Sequence, residues 1–290
     1  MSRRVAVVGL GVMGMPIAGH LVRSGNEVFG YDVSPEVQDR VRQLGVTACA
    51  SPAAAAARSD ATFVIVGMGD QVLDACLNKE TGIVAGAHPG HVVFIASTVA
   101  PDLPVEIARR LLPKGIDVLD ATLSRSHHAA IEGSLLVLTG GDQGVAEAWR
   151  NVMEAFASDI IHVGDIGAGQ LAKTINNLLL WIAVAGNREA MELGMRFGMD
   201  QGALRAAVLA GSGGNWALET WERARPMPWA EDDLSIALAI AKDLNLKMSI
   251  TETAAETIAA IKQDKAALGL ANDSMFAYLE STEGPNSQKH

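Results

Sequence analysis

The feature that most constrains this chain is its first turn. Val5-Ala6-Val7-Val8 is a short apolar run, and Gly9-Leu10-Gly11-Val12-Met13-Gly14 follows it at once. A helix-like stretch runs from Met15 to Ser24, and a second apolar run, Val28-Phe29-Gly30-Tyr31, ends in Asp32. Strand, glycine-rich turn, helix and a second strand closing on an acid together make a dinucleotide site. Gly9 permits the tight turn, Gly11 lets a pyrophosphate approach the backbone, and Gly14 lets the helix lie close on the sheet. The free N–H groups and positive dipole end of the helix serve the phosphates. Asp32, 18 residues after Gly14, is placed to accept hydrogen bonds from the adenosine ribose. The expected cofactor contacts are therefore Gly9, Leu10, Gly11, Val12, Met13, Gly14 and Asp32. A carboxylate there repels a 2′-phosphate, and Val33, Ser34 and Pro35 are not basic, so NAD is expected over NADP. Arg40 and Arg42 on the next helix are the residues that would favour NADP.

Along the rest of the chain, apolar strand patterns alternate with helices. Ser34-Pro35 caps a helix to Leu44, and Ser51-Pro52 caps an alanine-rich helix ending near Ser59. Continuous apolar runs over Ala61–Met68 and His91–Ala96 read as strands buried on both faces. Further strands are expected over 116–121, 134–139 and 159–163, with helices over 70–77, 104–112 and 145–157. The expectation is an α/β Rossmann-type doubly wound, mainly parallel sheet over 1–163. From Gly164 the pattern changes. One long helix, apolar nearly all round, runs to Met199 and reads as the buried axis of an all-α domain over 164–280, or of a dimer interface. Helices follow over 200–209, 215–223, 235–246, 251–265 and 273–280. The polar tail, 281–290, is expected to be disordered.

Bulk properties narrow the function classes. Of 290 residues, 49% are apolar and 19% charged, which suits a globular chain with a full core. The net charge of −10 argues against nucleic-acid or anionic-membrane partners. Cys49 and Cys76 have no metal spacing and read as reduced thiols of a cytoplasmic protein. No apolar stretch is long enough to span a bilayer, and no signal-peptide pattern is present.

An α/β dinucleotide domain joined to an all-helical domain resembles the β-hydroxyacid dehydrogenase family. Its members include 3-hydroxyisobutyrate dehydrogenase, tartronate semialdehyde reductase and, more distantly, 6-phosphogluconate dehydrogenase. Four segments carry the resemblance: GLGVMGMPIAGHLVRSG at 9–25, DATLSRSHHAAIEGSLLVLTGG at 120–141, GAGQLAKTINN at 167–177, and Ala241-Lys242-Asp243-Leu244. The resemblance implies hydride transfer between a nicotinamide and a small anionic β-hydroxyacid or its semialdehyde. It implies a homodimer or homotetramer.

Oxidising an alcohol by hydride transfer leaves a hydroxyl proton to be moved. Burial favours the neutral amine of a lysine, which can then accept that proton. The resemblance assigns this role to Lys173 and gives Asn177, one turn on, the job of holding lysine and substrate in register. Asn176 is the less favoured partner. The alternative for Lys173 is a surface lysine near a helix start, which the four-segment match disfavours. Lys242 matches the family lysine that approaches substrate and nicotinamide. An interior ion pair or a solvated helix face is its alternative. Thr98 matches a position beside the nicotinamide ribose, or is a simple strand-end cap. Met68, closing the 61–68 strand, is a further cofactor contact. Ile95 stands where the family often has an aspartate.

The substrate segment departs from the family. Where Asp-Ala-Pro-Val-Ser-Gly-Gly is usual, Ser124 is followed here by Arg125 and Ser126. Arg125 offers a planar fork of donors suited to a carboxylate, sulfonate or phosphate. This resembles the arginine-bearing branch that includes sulfolactaldehyde reductase. Ser124, Arg125, Ser126, Asn177 and Lys242 are thus the expected substrate contacts. Alternatively Arg125 pairs with Asp120 or Glu132 for structural reasons. His127 and His128 lack the neighbours of a metal site. Trp216, Trp221 and Trp229 read as core or dimer contact rather than a substrate platform. Two other functions share the architecture. Imine reductases usually carry Asp or Tyr in place of Lys173 and prefer NADPH. Non-catalytic dehydrogenase-like binding proteins lack the lysine.

Overall fold

The computed structural model describes residues 2–282, leaving aside the side chain of residue 38. Its contacts divide the chain into two compact units, the first ending at Lys173 and the second beginning at Thr174. In the first unit β1 (Arg4–Val8), α1 (Gly14–Arg23), β2 (Glu27–Tyr31), α2 (Pro35–Arg42), β3 (Thr47–Ala48), α3 (Pro52–Ala56) and β4 (Ala61–Val64) follow in turn. Next come α4 (Gly69–Leu77), α5 (Ile83–Gly86), β5 (Val92–Ile95), α6 (Asp102–Leu111) and β6 (Asp117–Ser124). The sheet is completed through α7 (Ser126–Glu132), β7 (Leu135–Gly140), α8 (Gln143–Ala148), α9 (Arg150–Met153) and β8 (Ala157–Gly164).

The eight strands lie in the order β3-β2-β1-β4-β5-β6-β7-β8. All pairs are parallel except β6 with β7, where Ala121 faces Thr139 and Ser124 faces Leu136. The chain moves outward from β1 to β3, then returns to place β4 beside β1. Such a reversal opens a crevice at the carboxyl ends of the two central strands. β4 and β5 are buried throughout, as strands covered by helices on both faces must be. Phe63 and Phe94 stack at 4.7 Å between these strands, with Phe156 edge-on to Phe63.

α10 (Ala168–Arg196) begins in the first unit and continues into the second. The second unit adds α11 (Gln201–Ala210), α12 (Trp216–Glu219), α13 (Ala230–Asp243), α14 (Ser249–Ala267) and α15 (Met275–Thr282), with no strand among the described residues. Its core gathers Trp181, Val184, Trp221, Ile258 and Tyr278.

Several elements differ from expectation for identifiable reasons. The strand expected to Met68 stops at Val64, because the Val66 amide donates to Ser97 Oγ at 2.8 Å instead of continuing the ladder. The helix expected over 145–157 breaks at Trp149, whose φ of −110° and ψ of 2° are not helical. The helix expected over 215–223 is a single turn. The short β3 and α7 carry no period for a reader to find. α10 is enclosed on one side only in the single chain, which leaves the dimer-interface reading open. Leu178, Trp181, Val184 and Met191 are buried, but Leu171, Ile175, Leu179 and Leu193 form an exposed stripe. Of the tail, Ser281 and Thr282 close α15, and 283–290 lie outside the described residues.

Candidate active site

The β1–α1 turn is built as the glycine spacing requires. Gly9 has φ +92°, and a Cβ there would sit 2.2 Å from the Ile65 carbonyl oxygen. A Cβ on Gly14 would sit 1.9 Å from the Gly9 carbonyl oxygen, so α1 approaches the turn as only glycine allows. Gly11 is different, because a Cβ there would meet nothing within 4 Å. The space over Gly11 is therefore open to a ligand. No side chain caps α1, and its first turn carries no acid, which leaves its N–H groups for an anion. This donor set fits a dinucleotide pyrophosphate.

Asp32 has a structural task as well. Its carboxylate accepts the Leu10 amide at 2.7 Å and the Ser34 amide at 2.9 Å, tying the end of β2 to the turn. The Leu10 side chain is buried, while Val12 is 71% exposed at the tip. Met13 immediately precedes α1. Met68 is exposed and immediately precedes α4. Thr98 is half-buried just beyond β5, and Ile95 is buried within it.

The second cluster joins β6 to the start of α10. Residues two apart on a strand share a face, and Asp120, Thr122 and Ser124 use it. Asp120 accepts the Gly167 and Gly169 amides at 2.7 and 2.9 Å. Thr122 Oγ1 donates to the Gly169 carbonyl at 3.1 Å. Lys173 Nζ donates to Ser124 Oγ at 3.3 Å. Three steps along β6 thus meet successive positions on the turn and helix, and the last step brings an amine to a buried hydroxyl. Burial pushes the Asp120 carboxyl up to about 6, against the lowering effect of the Gly167, Gly169 and Gln170 amides.

The Arg125–Ser126 pair adopts the left-handed backbone that glycine favours. Both residues have positive φ, 82° and 73°, which is costly for residues with a Cβ. The Arg125 side chain bonds neither Asp120 nor Glu132. Its Nη1 donates to Asp159 Oδ2 at 2.6 Å, Ser158 Oγ at 2.8 Å and the Ser134 carbonyl at 3.3 Å. The bond from Arg125 holds the Asp159 carboxyl below its usual range. His127 and His128 are exposed in the first turn of α7. Among the described residues, no group of three or more His, Cys, Asp or Glu is gathered for a metal.

In the second unit, Asn177 is buried and donates to Asp233 Oδ1 at 2.9 Å. Trp181 Nε1 donates to the other Asp233 oxygen at 2.9 Å. Asn176, which is exposed, donates to Asn177 Oδ1 at 3.1 Å. Lys242 is exposed in the last turn of α13. Trp221 is core, whereas Trp216 and Trp229 are largely exposed. Sequence reasoning missed Asp233, since nothing in the acidic run Glu231-Asp232-Asp233 marks one of its members. It also missed what Asp120 and Gln170 do. The alternation Asp120-x-Thr122-x-Ser124 inside an apolar strand was the available sign.

Comparison with known proteins matches both parts of the chain. Residues 4–164 match the family described as the NAD-binding domain of 6-phosphogluconate dehydrogenase. Residues 167–278 match that described as NAD-binding of NADP-dependent 3-hydroxyisobutyrate dehydrogenase. The chain is 35% identical to an L-threonate dehydrogenase of Cupriavidus necator, over 76% of this chain and 74% of the relative. It is 32% identical to an NAD-dependent L-serine dehydrogenase of Pseudomonas aeruginosa, over 88% and 87%. The solved 3-hydroxyisobutyrate dehydrogenase of Mycobacterium tuberculosis with L-serine superposes with a TM-score of 0.84 at 25% identity, covering 98% of this chain and 100% of that one. With both halves matched and identity sustained over most of its length, the chain belongs to the β-hydroxyacid dehydrogenase family of NAD(P)-binding oxidoreductases.

Proposed function

We propose that this enzyme oxidises a small anionic β-hydroxyacid, or reduces its semialdehyde, with Lys173 as general acid and base. The observation that carries this reading is the 3.3 Å contact between Lys173 Nζ and Ser124 Oγ. It sets an amine beside a hydroxyl that can hold a substrate oxygen. A bound nicotinamide would supply the hydride acceptor. Lys173 then takes the substrate hydroxyl proton, and returns it in the reductive direction. Ser124, with the backbone of Arg125 and Ser126, holds the acid group, and the Arg125 guanidinium adds charge. The roles of Asn177 and Lys242, and of Thr98 toward the cofactor, are proposed on the resemblance, and that of Met68 on its place after β4. Asp32 favours NAD over NADP by repelling a 2′-phosphate. The exposed apolar stripe of α10 favours a homodimer or homotetramer, and the reduced-thiol reading of Cys49 and Cys76 favours the cytoplasm.

The test is a panel of hydroxyacids and hydroxysulfonates with NAD, followed by NADH absorbance. L-serine, L-threonate and 3-hydroxyisobutyrate belong in it. Turnover is expected for at least one carboxylate or sulfonate. Lys173→Ala is expected to abolish it, a loss of at least about 10²-fold, while NADH still binds. Substantial turnover by that variant would refute the assignment. Silence across the panel would favour a non-catalytic binding protein.

A further inference from the structure

Gln170 lies one turn before Lys173 on α10 and is fully buried. Its Oε1 accepts the Val99 amide at 3.0 Å, and its Nε2 donates to the Ser97 carbonyl at 2.8 Å. The side-chain amide therefore bonds the backbone on both sides of Thr98, as a neighbouring strand would. On the far side, Ser97 Oγ accepts the Val66 amide at 2.8 Å and donates to the Val64 carbonyl at 3.3 Å. Thr98 is thus held between two staples, one from the end of β4 and one from α10.

We infer that Gln170 is a positioning residue for hydride transfer: it fixes the Thr98 loop and the Lys173 amine to the same helical turn. This rests on the proposed roles of Lys173 and Thr98. Both of its bonds go to backbone groups, so their geometry does not depend on the loop's side chains. An unpaired backbone N–H and C=O in this buried place would be costly, and the loop would shift to satisfy them. A misplacement of about 1 Å between reacting groups can cost about 10²-fold in rate. Binding of the pyrophosphate, which the β1–α1 turn governs, would be spared.

The experiment uses the full chain with Gln170→Met, which keeps length and packing but removes both bonds. Gln170→Glu, which keeps only an acceptor for the Val99 amide, is made alongside in case the methionine variant does not fold. Three quantities are read: kcat and KM with NAD and whichever panel hydroxyacid the unaltered chain oxidises, the NADH Kd by fluorescence, and hydrogen exchange at the Val99 amide. The expected result is a kcat lower by about 10- to 100-fold, with KM for NAD and the NADH Kd changed less than about threefold and Val99 exchanging faster. A kcat within twofold of the unaltered chain overturns the inference. So does a loss of kcat matched by an equal loss of NADH affinity. Failure of the unaltered chain to bind NADH would overturn the dinucleotide reading itself, and this inference with it.

Discussion

At the scale of single residues, Arg125 combines a backbone suited to glycine with a long, tethered side chain. Its φ of 82° lies in the region that glycine favours. Its side chain is anchored through one nitrogen to Asp159, Ser158 and Ser134. An exposed ion pair of this kind contributes little stability. If the guanidinium meets the acid group of the substrate, Arg125→Ala raises KM for the preferred hydroxyacid by about tenfold or more and leaves the melting temperature within a few degrees. Steady-state kinetics on the substrate found in the panel checks it, and an unchanged KM removes Arg125 from the substrate site. The identity of the residue was plain in the sequence, but its partner was not. Asp120 and Glu132 are near in the chain, whereas Asp159 becomes a neighbour only through the strand order.

At the scale of elements, the β1–α1 turn separates two duties of glycine that sequence spacing lumps together. Gly14→Ala forces a Cβ to within 1.9 Å of the Gly9 carbonyl oxygen. Overpacking of that sort costs about 1–3 kcal/mol, so both stability and NADH binding should fall. Gly11→Ala meets open space. It should leave the urea midpoint nearly unchanged while weakening NADH binding about tenfold or more. Urea titration and NADH fluorescence on the two variants test the contrast, and equal behaviour would contradict it. The turn, the acid after β2 and the buried strands β4 and β5 were legible because their patterns are local. The break at Trp149 and the one-turn α12 were not, since tertiary packing decides where a helical run stops. The tethering of α10 by Asp120 and Gln170 joins residues about 50 to 70 apart and has no local trace.

At the scale of the whole molecule, acid should reveal a buried histidine that no motif announced. His91 is fully buried, and burial pushes it down to about 4. Its Nδ1–H donates to the Ser59 carbonyl at 3.1 Å, and its Nε2 accepts from the Thr62 hydroxyl at 2.9 Å. Between its ordinary value near 6.5 and 4, the folded chain binds fewer protons than the unfolded one, so stability falls as pH falls, by about 3 kcal/mol at pH 4. Asp120, raised to about 6, acts in the opposite sense, because the folded chain binds more protons there. Comparing His91→Gln with the unaltered chain cancels the Asp120 contribution. Urea midpoints from pH 7 to 4.5 should converge as the unaltered chain loses its advantage, and parallel curves would show that His91 is not the titrating group. The doubly wound order was legible as alternation, but the reversed direction of β7 was not.

That reversal has a consequence for ancestry. Because β7 and β8 run against the other strands, their leading ends arrive beside the trailing end of β6. An arginine after Ser124 therefore lands next to positions 134, 158 and 159. Because the Asp159 carboxylate sets the direction of the Arg125 guanidinium, chains with arginine at 125 should carry an acid at 159 more often than chains with glycine there.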